Sequence, residues 1–253
     1  MELKINLYSG AGNNFVILDG RPGIPDIDIP SLCRQYSTDG LMLLKESEGF
    51  DFEMDYYNSD GSSGMMCGNG GRCIVAFARD MGIEPSSDGT YRFLAPDGEH
   101  CASILPNGEV RLKMIDVKEF HWALDGGWFV DTGTRHYVKF VEDIEAIDIN
   151  SLGRHYRQHQ DFAPLGVNAN FVERLSDSSF KIRTFEKGVE AETLACGTGI
   201  TASAIACWLD KKSGTERMKY QVRARINDLQ VEFTPGNGIF TEVYLTGPAE
   251  KYL

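Results

Sequence analysis

The sequence predicts an α/β (α+β) fold of two pseudo-symmetric domains, each a mostly antiparallel or mixed β-sheet, or partial barrel, wrapped around a central helix. The first observation is a repeat, because residues 28–36 (DIPSLCRQY) match residues 148–156 (DINSLGRHY) at six of nine positions, 120 positions apart. Further along, the spacing becomes 129 positions and aligns Cys67 with Cys196. Each half also alternates short strand-like segments with one apolar helix. Two copies at so long a spacing favour a pair of domains over a solenoid.

The length of the chain is sufficient for two domains of ordinary size. It has 253 residues, of which 42% are hydrophobic, so there is enough apolar material for two cores. We expect a first domain at residues 1–117, carrying Cys67, and a second at residues 118–245, carrying Cys196. The tail, residues 246–253, is expected to pack back on the first domain.

The elements of the first half are predicted from local patterns. Pro30, in a first turn, predicts a short helix at residues 30–37. After Cys67, apolar residues at helical spacing predict a second helix, which ends at Gly82 and buries one face. The strands are predicted from apolar runs bounded by turn residues, and they lie at residues 5–8, 15–18, 41–44, 52–57, 91–94, 101–105 and 110–115.

The second half repeats this order. A short helix is predicted at residues 150–157 and a long one from about residue 199 to residue 212. The long helix is apolar on nearly all sides across residues 202–209, so we expect it to be enclosed. The strands of this half are predicted at residues 128–130, 136–140, 169–175, 180–185, 220–224, 229–233 and 238–245.

The charge of the chain excludes some classes of partner. A formal net charge of −12 and a pI near 4.9 argue against nucleic acid or an anionic membrane, since both attract a basic surface. The first residues show no basic segment followed by a long apolar run, and no later stretch approaches the roughly 18 apolar residues of a membrane span. We therefore expect a cytoplasmic protein with a small-molecule substrate. Monomer and homodimer both stay open.

The six cysteines do not form a recognisable metal or disulfide pattern. None is part of a CxxC pair, which argues against a zinc site, and reduced thiols suit a cytoplasmic chain better than a disulfide framework. Free cysteine is among the most buried residue types. We expect burial for four of them, namely Cys33, Cys73, Cys101 and Cys207.

Cys67 and Cys196 differ from the other four in the residues directly after them. Each precedes a Gly-x-Gly turn and an apolar helix, in residues 66–78 (MCGNGGRCIVAFA) and 195–206 (ACGTGITASAIA). A thiol at such a place meets unpaired backbone N–H groups and the positive end of a helix dipole, which make it acidic and reactive. Two such thiols, one per half, indicate a pair of acid/base groups that act on one substrate.

Four segments together resemble the diaminopimelate epimerase family. They are GAGN at residues 10–13, YNSDG at 57–61, CGNGGRC at 67–73 and ETLACGTG at 192–199, in that order and across essentially the whole chain. The resemblance implies two similar α/β domains, no pyridoxal phosphate, no metal and no other cofactor. It also implies interconversion of the LL and meso forms of 2,6-diaminopimelate, on the route to lysine and peptidoglycan.

The chemistry of the two thiols agrees with that implication. Inverting an amino-acid α-carbon requires one group that removes a proton and another that returns one on the opposite face. The ordinary pKa of cysteine, about 8.5, is lowered at a helix N-terminus and then lies near the pH at which acid/base catalysis works best. Backbone N–H groups at the two helix starts are suited to hold the negative charge that develops on the substrate carboxylate.

The resemblance assigns further residues one by one. Cys67 and Cys196 match the two family bases, and His136 matches a histidine close to the catalytic site. The matches to groups around the reacting carboxylate are Gly68, Asn69, Gly197 and Thr198. The matches to other substrate-binding positions are Asn13, Asn58, Asn168 and Glu186.

The chain departs from the family pattern at a few positions. Thr134 and Arg135 precede His136 where the family has Asn and Pro, Lys187 replaces an Arg, and Gly40 replaces a Gln. We expect Lys187 to bind the distal carboxylate of the substrate, with Thr134 and Arg135 as auxiliary residues and the Arg135 side chain directed to solvent. Two alternatives to diaminopimelate epimerisation stay open. The first is a two-cysteine racemase of the same fold that acts on another amino acid, such as histidine or proline. The second is a non-catalytic anion-binding homologue.

Overall fold

The computed structural model describes residues 3–64, 66–211, 214 and 216–253. It divides into two compact units. The first unit comprises Met1–Lys113 and Thr246–Leu253, and the second unit comprises Met114–Leu245. The second unit is therefore an insertion in the sequence of the first. The division falls four positions before the domain boundary expected from the sequence.

The first unit is built from short strands and two helices. Its helices are α1 (Ile29–Tyr36) and α2 (Gly68–Asp80). Its strands are β1 (Asn6–Gly10), β2 (Asn13–Asp19), β3 (Gly40–Lys45), β4 (Phe52–Asn58), β5 (Thr90–Ala95), β6 (Gly98–Ile104), β7 (Val110–Lys113) and, from the tail, β17 (Glu250–Lys251).

Among the residues that the structure describes, the second unit also has two α-helices, with nine strands in place of eight. Its helices are α3 (Ile149–Arg157) and α4 (Gly197–Lys211). Its strands are β8 (Phe120–Trp122), β9 (Trp128–Asp131), β10 (Arg135–Phe140), β11 (Asn168–Ser176), β12 (Ser179–Glu186), β13 (Ala191–Thr193), β14 (Met218–Arg223), β15 (Asp228–Gly236) and β16 (Ile239–Gly247).

The strand pairing of the first unit recurs in the second. In the first unit β1 and β2 are antiparallel, β2 and β3 are parallel, β3 and β4 are antiparallel, and β4 and β5 are parallel. In the second unit the corresponding pairs β9–β10, β10–β11, β11–β12 and β12–β14 have the same directions in the same order. The predicted fold class, two pseudo-symmetric sheet-rich domains, is confirmed.

The repeated sequence segment forms the same capped helix in both units. Asp28 caps α1 by accepting a hydrogen bond from the N–H of Ser31 at 3.1 Å. Asp148 caps α3 by accepting from the N–H of Ser151 at 3.2 Å. Each helix connects two parallel strands, as a crossover requires.

The central helices α2 and α4 are enclosed. For α4 this confirms the expectation from its apolar sequence, since residues 199–207 are all buried. For α2 the expectation of one buried face is wrong, because residues 68–78 are buried on every side. The reason is that strands β1, β2, β3, β6 and β7 all contact this helix, so the sheet covers its flanks as well as one face.

Other differences from the predicted elements are local. The helix α4 begins two residues earlier than predicted, and its predicted end, Lys212, lies outside the described residues. The strands β8, β13 and β17, of two or three residues each, are missed by the sequence patterns. Cys101 is only half-buried, in β6, whereas Cys33, Cys73 and Cys207 are buried as expected. None of the described helices is long and apolar enough to cross a bilayer.

Candidate active site

Cys67 occupies the N-cap position of α2. Its backbone is extended and its Sγ accepts a hydrogen bond from the N–H of Gly70 at 3.2 Å. Its carbonyl accepts the first helical bond, from the N–H of Gly71 at 2.8 Å. The sulfur thus takes the place that a serine or aspartate oxygen usually holds in a helix cap, and a donor fixed in this way favours the thiolate.

A fully buried arginine lies beside this cap. The guanidinium of Arg72 donates to the carbonyl of Gly68 at 3.0 Å, to Oδ1 of Asn69 at 2.9 Å and to the carbonyl of Pro248 at 3.2 Å. Burial lowers the pKa of the guanidinium below its ordinary value. Arg72 is not among the residues predicted for the site, although a charged residue inside a glycine-rich, apolar helix start is a signal for one.

The amide of Asn69 connects α2 to the start of β2. Its Nδ2 donates to Oδ1 of Asn13 at 2.5 Å, while Asn13 Nδ2 donates to the carboxylate of Asp39 at 3.3 Å. Asp39 also accepts from the backbone N–H of Asn14 at 2.8 Å. Because Arg72 binds the amide oxygen of Asn69, the orientation of this amide is fixed. The structure therefore brings the predicted residues Asn13, Gly68 and Asn69 together with Cys67.

Asn58 lies at the same edge of the sheet of the first unit. It ends β4, directly opposite Gly40 at the start of β3. Its Nδ2 donates to the hydroxyl of Ser62 at 3.0 Å. A Cβ atom added at Gly40 would lie 2.6 Å from the ring of Tyr56. The ring of Tyr56 thus fills the space that a side chain at position 40 would need.

Cys196 holds the equivalent position at the start of α4. Its carbonyl accepts the first helical bond, from the N–H of Ile200 at 2.8 Å. Its Sγ lies 3.5 Å from the hydroxyl oxygen of Thr198, and the residue is buried. The two predicted cysteines are therefore both helix caps, but their sulfurs have different partners, a backbone N–H for Cys67 and the hydroxyl group of Thr198 for Cys196.

Residues before β10 hold Thr198 from two sides. The hydroxyl of Thr132 donates to the carbonyl of Thr198 at 3.1 Å. The hydroxyl of Thr134 donates to the hydroxyl of Thr198 at 3.1 Å and lies 2.8 Å from Nε2 of His136. The predicted residues Thr134, His136 and Thr198 are thus linked to Cys196 in one hydrogen-bonded group.

Asn170 in β11 completes this group and is not among the predicted site residues. Its Nδ2 donates to Nδ1 of His136 at 3.1 Å and to the carbonyl of Tyr137 at 3.0 Å, and its Oδ1 accepts from the hydroxyl of Thr184 at 2.9 Å. A Cβ atom added at Gly199 would lie 2.4 Å from that Oδ1. Only glycine at this position lets α4 approach β11 so closely.

Asn168 and Glu186 lie at the ends of neighbouring strands in the second unit. Asn168 Oδ1 accepts from the backbone N–H of Lys187 at 2.8 Å, and its Nδ2 donates to the carbonyl of Arg135 at 3.4 Å. Glu186 accepts from the hydroxyl of Thr193 at 2.9 Å. Lys187 is exposed, and no carboxylate of the described residues forms an ion pair with its ammonium group.

Arg135 does not point to solvent, contrary to expectation. It is half-buried, and its guanidinium donates to the carbonyl of Phe162 at 3.1 Å and lies 5.2 Å from the ring centre of Phe129. A third contact is the carbonyl of Gly166 at 3.4 Å. Its donors therefore stabilise the loop before β11.

The remaining buried thiols are held in the neutral form. Burial raises the pKa of Cys73 to about 12 and that of Cys207 to about 12, and it also raises the pKa of Cys33. These three cysteines lie inside helices, where backbone N–H groups are already bonded to carbonyls of the same helix. Position at the helix start therefore separates Cys67 and Cys196 from them.

A cavity of about 660 Å³ lies elsewhere, along α3, and is lined by Asp148, Arg154, His155 and His159 among others. It contains none of the predicted site residues.

The groups suited to acid/base chemistry lie at the starts of α2 and α4. Each presents a sulfur, backbone N–H groups and a fixed amide or hydroxyl, which suits removal of a weakly acidic proton and binding of the anion that results.

Comparison with known proteins gives consistent matches. The family model described as diaminopimelate epimerase matches residues 5–118 and 128–252. The diaminopimelate epimerase of Flavobacterium psychrophilum is 40% identical over 255 residues, covering 98% of this chain and 97% of that protein. The enzyme of the same name from Chlorobaculum tepidum is 39% identical, covering 95% and 96%.

Solved structures with low sequence identity share the fold. A Bacillus anthracis phenazine biosynthesis protein of the PhzF family has a TM-score of 0.76 at 14% identity and covers both chains completely. A probable proline racemase from Agrobacterium radiobacter has a TM-score of 0.63 at 14% identity, covering 99% of this chain and 91% of that one.

Proposed function

The chain belongs to the diaminopimelate epimerase family, and from this premise we infer that it interconverts LL-2,6-diaminopimelate and meso-2,6-diaminopimelate. It is accordingly an isomerase. We propose that Cys67 and Cys196 are its two acid/base groups and that they act without a cofactor. The observation that carries this proposal is that both cysteines cap enclosed helices at equivalent positions of the duplicated fold.

The reaction needs one thiolate and one thiol. The thiolate removes the α-proton from one face of the carbon, and the electron pair of the broken C–H bond moves onto the α-carboxylate. The thiol then returns its own proton to the opposite face, so that configuration is inverted. The two sulfurs have exchanged protonation states, and the reverse reaction begins from there. Because the two thiols interact, the apparent pKa values measured for them describe the pair and not either cysteine alone.

The charge on the carboxylate is stabilised by backbone donors. The first N–H groups of a helix have no acceptor within the helix, and those of residues 68–69 and 197–199 lie at the positive ends of α2 and α4. Donors held in place before the reaction stabilise the developing charge without reorganisation. The contacts of Asn69 with Arg72 and Asn13 keep one such start rigid.

The rest of the substrate is polar and needs polar side chains as partners. We assign substrate binding to Asn13, Asn58, Asn168 and Glu186, and the distal carboxylate to Lys187. The product serves lysine and peptidoglycan biosynthesis in the cytoplasm under this proposal. Light scattering of the purified protein decides between a monomer and a homodimer.

An exchange experiment tests the function. The protein is incubated with LL-diaminopimelate in deuterated water, and mass spectrometry follows α-deuterium while chiral chromatography follows the meso isomer. Cys67→Ala and Cys196→Ala should each lower the rate of epimerisation by about 10²–10⁴-fold or more, the usual contribution of one acid/base group. Cys101→Ser, a half-exposed thiol outside the site, is the matched control and should keep the parent rate.

The outcomes separate the alternatives. Exchange into another amino acid but not into diaminopimelate would favour a racemase of the same fold. Absence of exchange into every amino acid of a broad panel would favour a non-catalytic homologue. Near-parent epimerisation by either cysteine variant would overturn the two-thiol mechanism.

A further inference from the structure

A continuous row of hydrogen bonds joins the interior of the second unit to Cys196. It runs from Asn170 in β11 through His136 in β10, then through the hydroxyls of Thr134 and Thr198, to Sγ of Cys196. Successive heavy atoms are 3.1, 2.8, 3.1 and 3.5 Å apart. All five residues belong to the second unit.

The direction of the first bond is fixed by backbone groups. The Nδ2 atom of Asn170 lies 3.0 Å from the carbonyl of Tyr137, and a carbonyl only accepts hydrogen bonds. The Oδ1 atom of Asn170 accepts from Thr184. The amide nitrogen of Asn170 therefore faces His136 and donates to Nδ1. In a neutral imidazole the hydrogen must then be on Nε2.

The direction of the other bonds is set by the first. Nε2 of His136 donates to the hydroxyl oxygen of Thr134, so the hydrogen of Thr134 is available to Thr198. The hydroxyl of Thr198 accepts from Thr134, and its own hydrogen is then directed to Sγ of Cys196. The last acceptor in the row is the sulfur.

The imidazole stays neutral because no charged group among the described residues compensates its burial. His136 is fully buried, and burial alone lowers the pKa of its imidazole to about 3. The strands β9 and β11 and the helix α4 pack against β10, and β12 packs against α4. The charged groups on these elements and on β10 itself have other partners. The acidic groups are paired as Asp131 with Gly133, Glu173 with Lys181, Asp210 with Arg174 and Glu186 with Thr193. The basic groups are paired as Arg135 with Phe162, Lys139 with Asp125, Arg183 with Glu192 and Lys211 with Asp177. Cys207 of α4 is itself neutral, because burial raises its pKa to about 12.

We propose that Asn170 and Thr134 are positioning residues, which act through His136 and Thr198 to hold a hydroxyl hydrogen at Sγ of Cys196 and so favour its thiolate. The proposal rests on the proposed function for the role of that thiolate. The row transfers no proton. When Cys196 has taken a proton from substrate, its sulfur still accepts the bond from Thr198, so the S–H hydrogen is not used in the row.

The row also accounts for Thr134, one of the departures from the family pattern. Asparagine at this position would present an amide, whereas threonine presents a single hydroxyl that both accepts from His136 and donates to Thr198. The sulfur of Cys67 is instead held by a backbone donor, the N–H of Gly70. The two thiols therefore respond differently to a change at position 134.

The test measures the reactivity of each thiol without substrate. Parent protein, Thr134→Val and Thr134→Ser are treated with iodoacetamide between pH 5 and pH 10, and alkylation of each cysteine is followed by peptide mass spectrometry. Valine has the shape of threonine but no hydroxyl. The pH at which Cys196 is alkylated at half its maximal rate (its pH midpoint) should therefore rise by about one unit, which is about a tenfold change in the ionisation equilibrium of the thiol. Serine restores the hydroxyl and should restore the midpoint. The midpoint for Cys67 should not move in either variant.

Further readouts decide between a positioning role and a structural one. Cys207, buried in α4 of the same unit, stays unreactive if the unit remains folded. The acid limb of the pH profile of kcat/KM should move upward in Thr134→Val, and ¹⁵N NMR should show His136 with its hydrogen on Nε2. An unchanged Cys196 midpoint in Thr134→Val, equal shifts of both thiols, or a hydrogen on Nδ1 of His136 would overturn the proposal. Since alkylation needs no substrate, failure of the proposed substrate would leave these results unaffected.

Discussion

His136 gives the protein a specific sensitivity to acid. Burial lowers the pKa of its imidazole to about 3, against an ordinary value near 6.5. The neutral group therefore contributes stability that is complete above about pH 6.5 and is lost as the pH falls toward 3. We expect this one group to lower the free energy of unfolding by about 1.4 kcal/mol for each pH unit between about pH 6 and pH 4.

Urea unfolding at a series of pH values measures this effect. The slope of unfolding free energy against pH should be shallower in His136→Gln than in the parent. His155→Gln is the matched control, because that histidine is exposed on α3, and it should keep the parent slope. Equal slopes for His136→Gln and the parent would show that His136 is not held neutral.

Lys187 is the residue that we propose binds the distal carboxylate of the substrate. Its backbone N–H is fixed by Asn168 at 2.8 Å, while its ammonium group is exposed. Loss of a charged partner costs about 2–5 kcal/mol where the pair is desolvated and less at an exposed site. We expect Lys187→Ala to raise KM for diaminopimelate by about tenfold, equivalent to about 1.4 kcal/mol, and Lys187→Arg to preserve KM or lower it through a bidentate contact.

Steady-state kinetics with diaminopimelate provides the measurement. Lys219→Ala, an exposed lysine on β14, serves as the control and should leave KM unchanged. If Lys187→Ala also leaves KM unchanged, the distal carboxylate binds elsewhere. Faster exchange of a substrate without a distal carboxylate would favour the racemase alternative.

Individual residues differ in how far the sequence reveals them. Cys67 and Cys196 are predictable because the glycines after each one mark a helix start. Asn170 is not predictable in this way, because it lies inside a strand and meets His136 only through the parallel pairing of β10 and β11. Arg72 is visible as a charge in an apolar helix, but its partner Pro248 is 176 positions away, which no local pattern indicates.

At the scale of elements, helices are better predicted than short strands. The helix α1 is predicted from Pro30, α3 from the repeat of that segment, and α4 from its apolar composition. The short strands β8, β13 and β17 carry too few residues for an alternating pattern to appear. Their existence depends on a neighbouring strand that is already in place, such as β12 for β13.

The close approach of α4 to β11 depends on Gly199. A Cβ atom there would lie 2.4 Å from Asn170 Oδ1 and 3.3 Å from Cε1 of His136, so Gly199→Ala forces the helix away from the strand. We expect a loss of about 1–3 kcal/mol of unfolding free energy, typical of overpacking. We also expect lower kcat, because Thr198 moves with the helix. Chemical unfolding and steady-state kinetics measure the two effects.

Gly236→Ala is the matched control for this change. Gly236 ends β15, and a Cβ atom there would meet no atom of the described residues within 4 Å, so stability and turnover should remain at parent levels. A Gly199→Ala protein with parent stability and parent kcat would mean that α4 and β11 tolerate separation at this point.

At the scale of the whole molecule, the sequence repeat predicts the duplicated fold and the approximate position of the boundary between its two halves. The two copies share strand order and pairing direction, as the matching segments predict. The return of the tail depends on pairing between β17 and β1, at opposite ends of the chain. A pairing of this kind leaves no mark in local periodicity.

Removal of residues 250–253 should therefore weaken the first unit and spare the second. The deletion eliminates the backbone bonds of Leu7 with Leu253 and Tyr252, at 3.0 and 2.9 Å, and the bond from Lys251 to Asn6 at 3.1 Å. At about 1 kcal/mol per hydrogen bond, we expect a loss of about 2–3 kcal/mol. Hydrogen exchange should show faster exchange in β1 and β2 and unchanged exchange in β10 and β11.

A side-chain control separates the backbone pairing from other effects of the tail. Glu250→Ala keeps the pairing of β17 with β1 and changes an exposed side chain, so it should exchange like the parent. Faster exchange in both units of the truncated protein would show that the units do not unfold separately.

The assignment of the tail to the first unit sets the order in which a newly synthesised chain can be completed. Residues 3–113 are synthesised before the inserted unit, yet the guanidinium of Arg72 can donate to the carbonyl of Pro248 only after the entire inserted unit has been translated. The inserted unit is continuous in sequence and can fold as it emerges. The half of the enzyme that contains Cys67 is thus made first and finished last, because its last strand, β17, follows the inserted unit in the sequence.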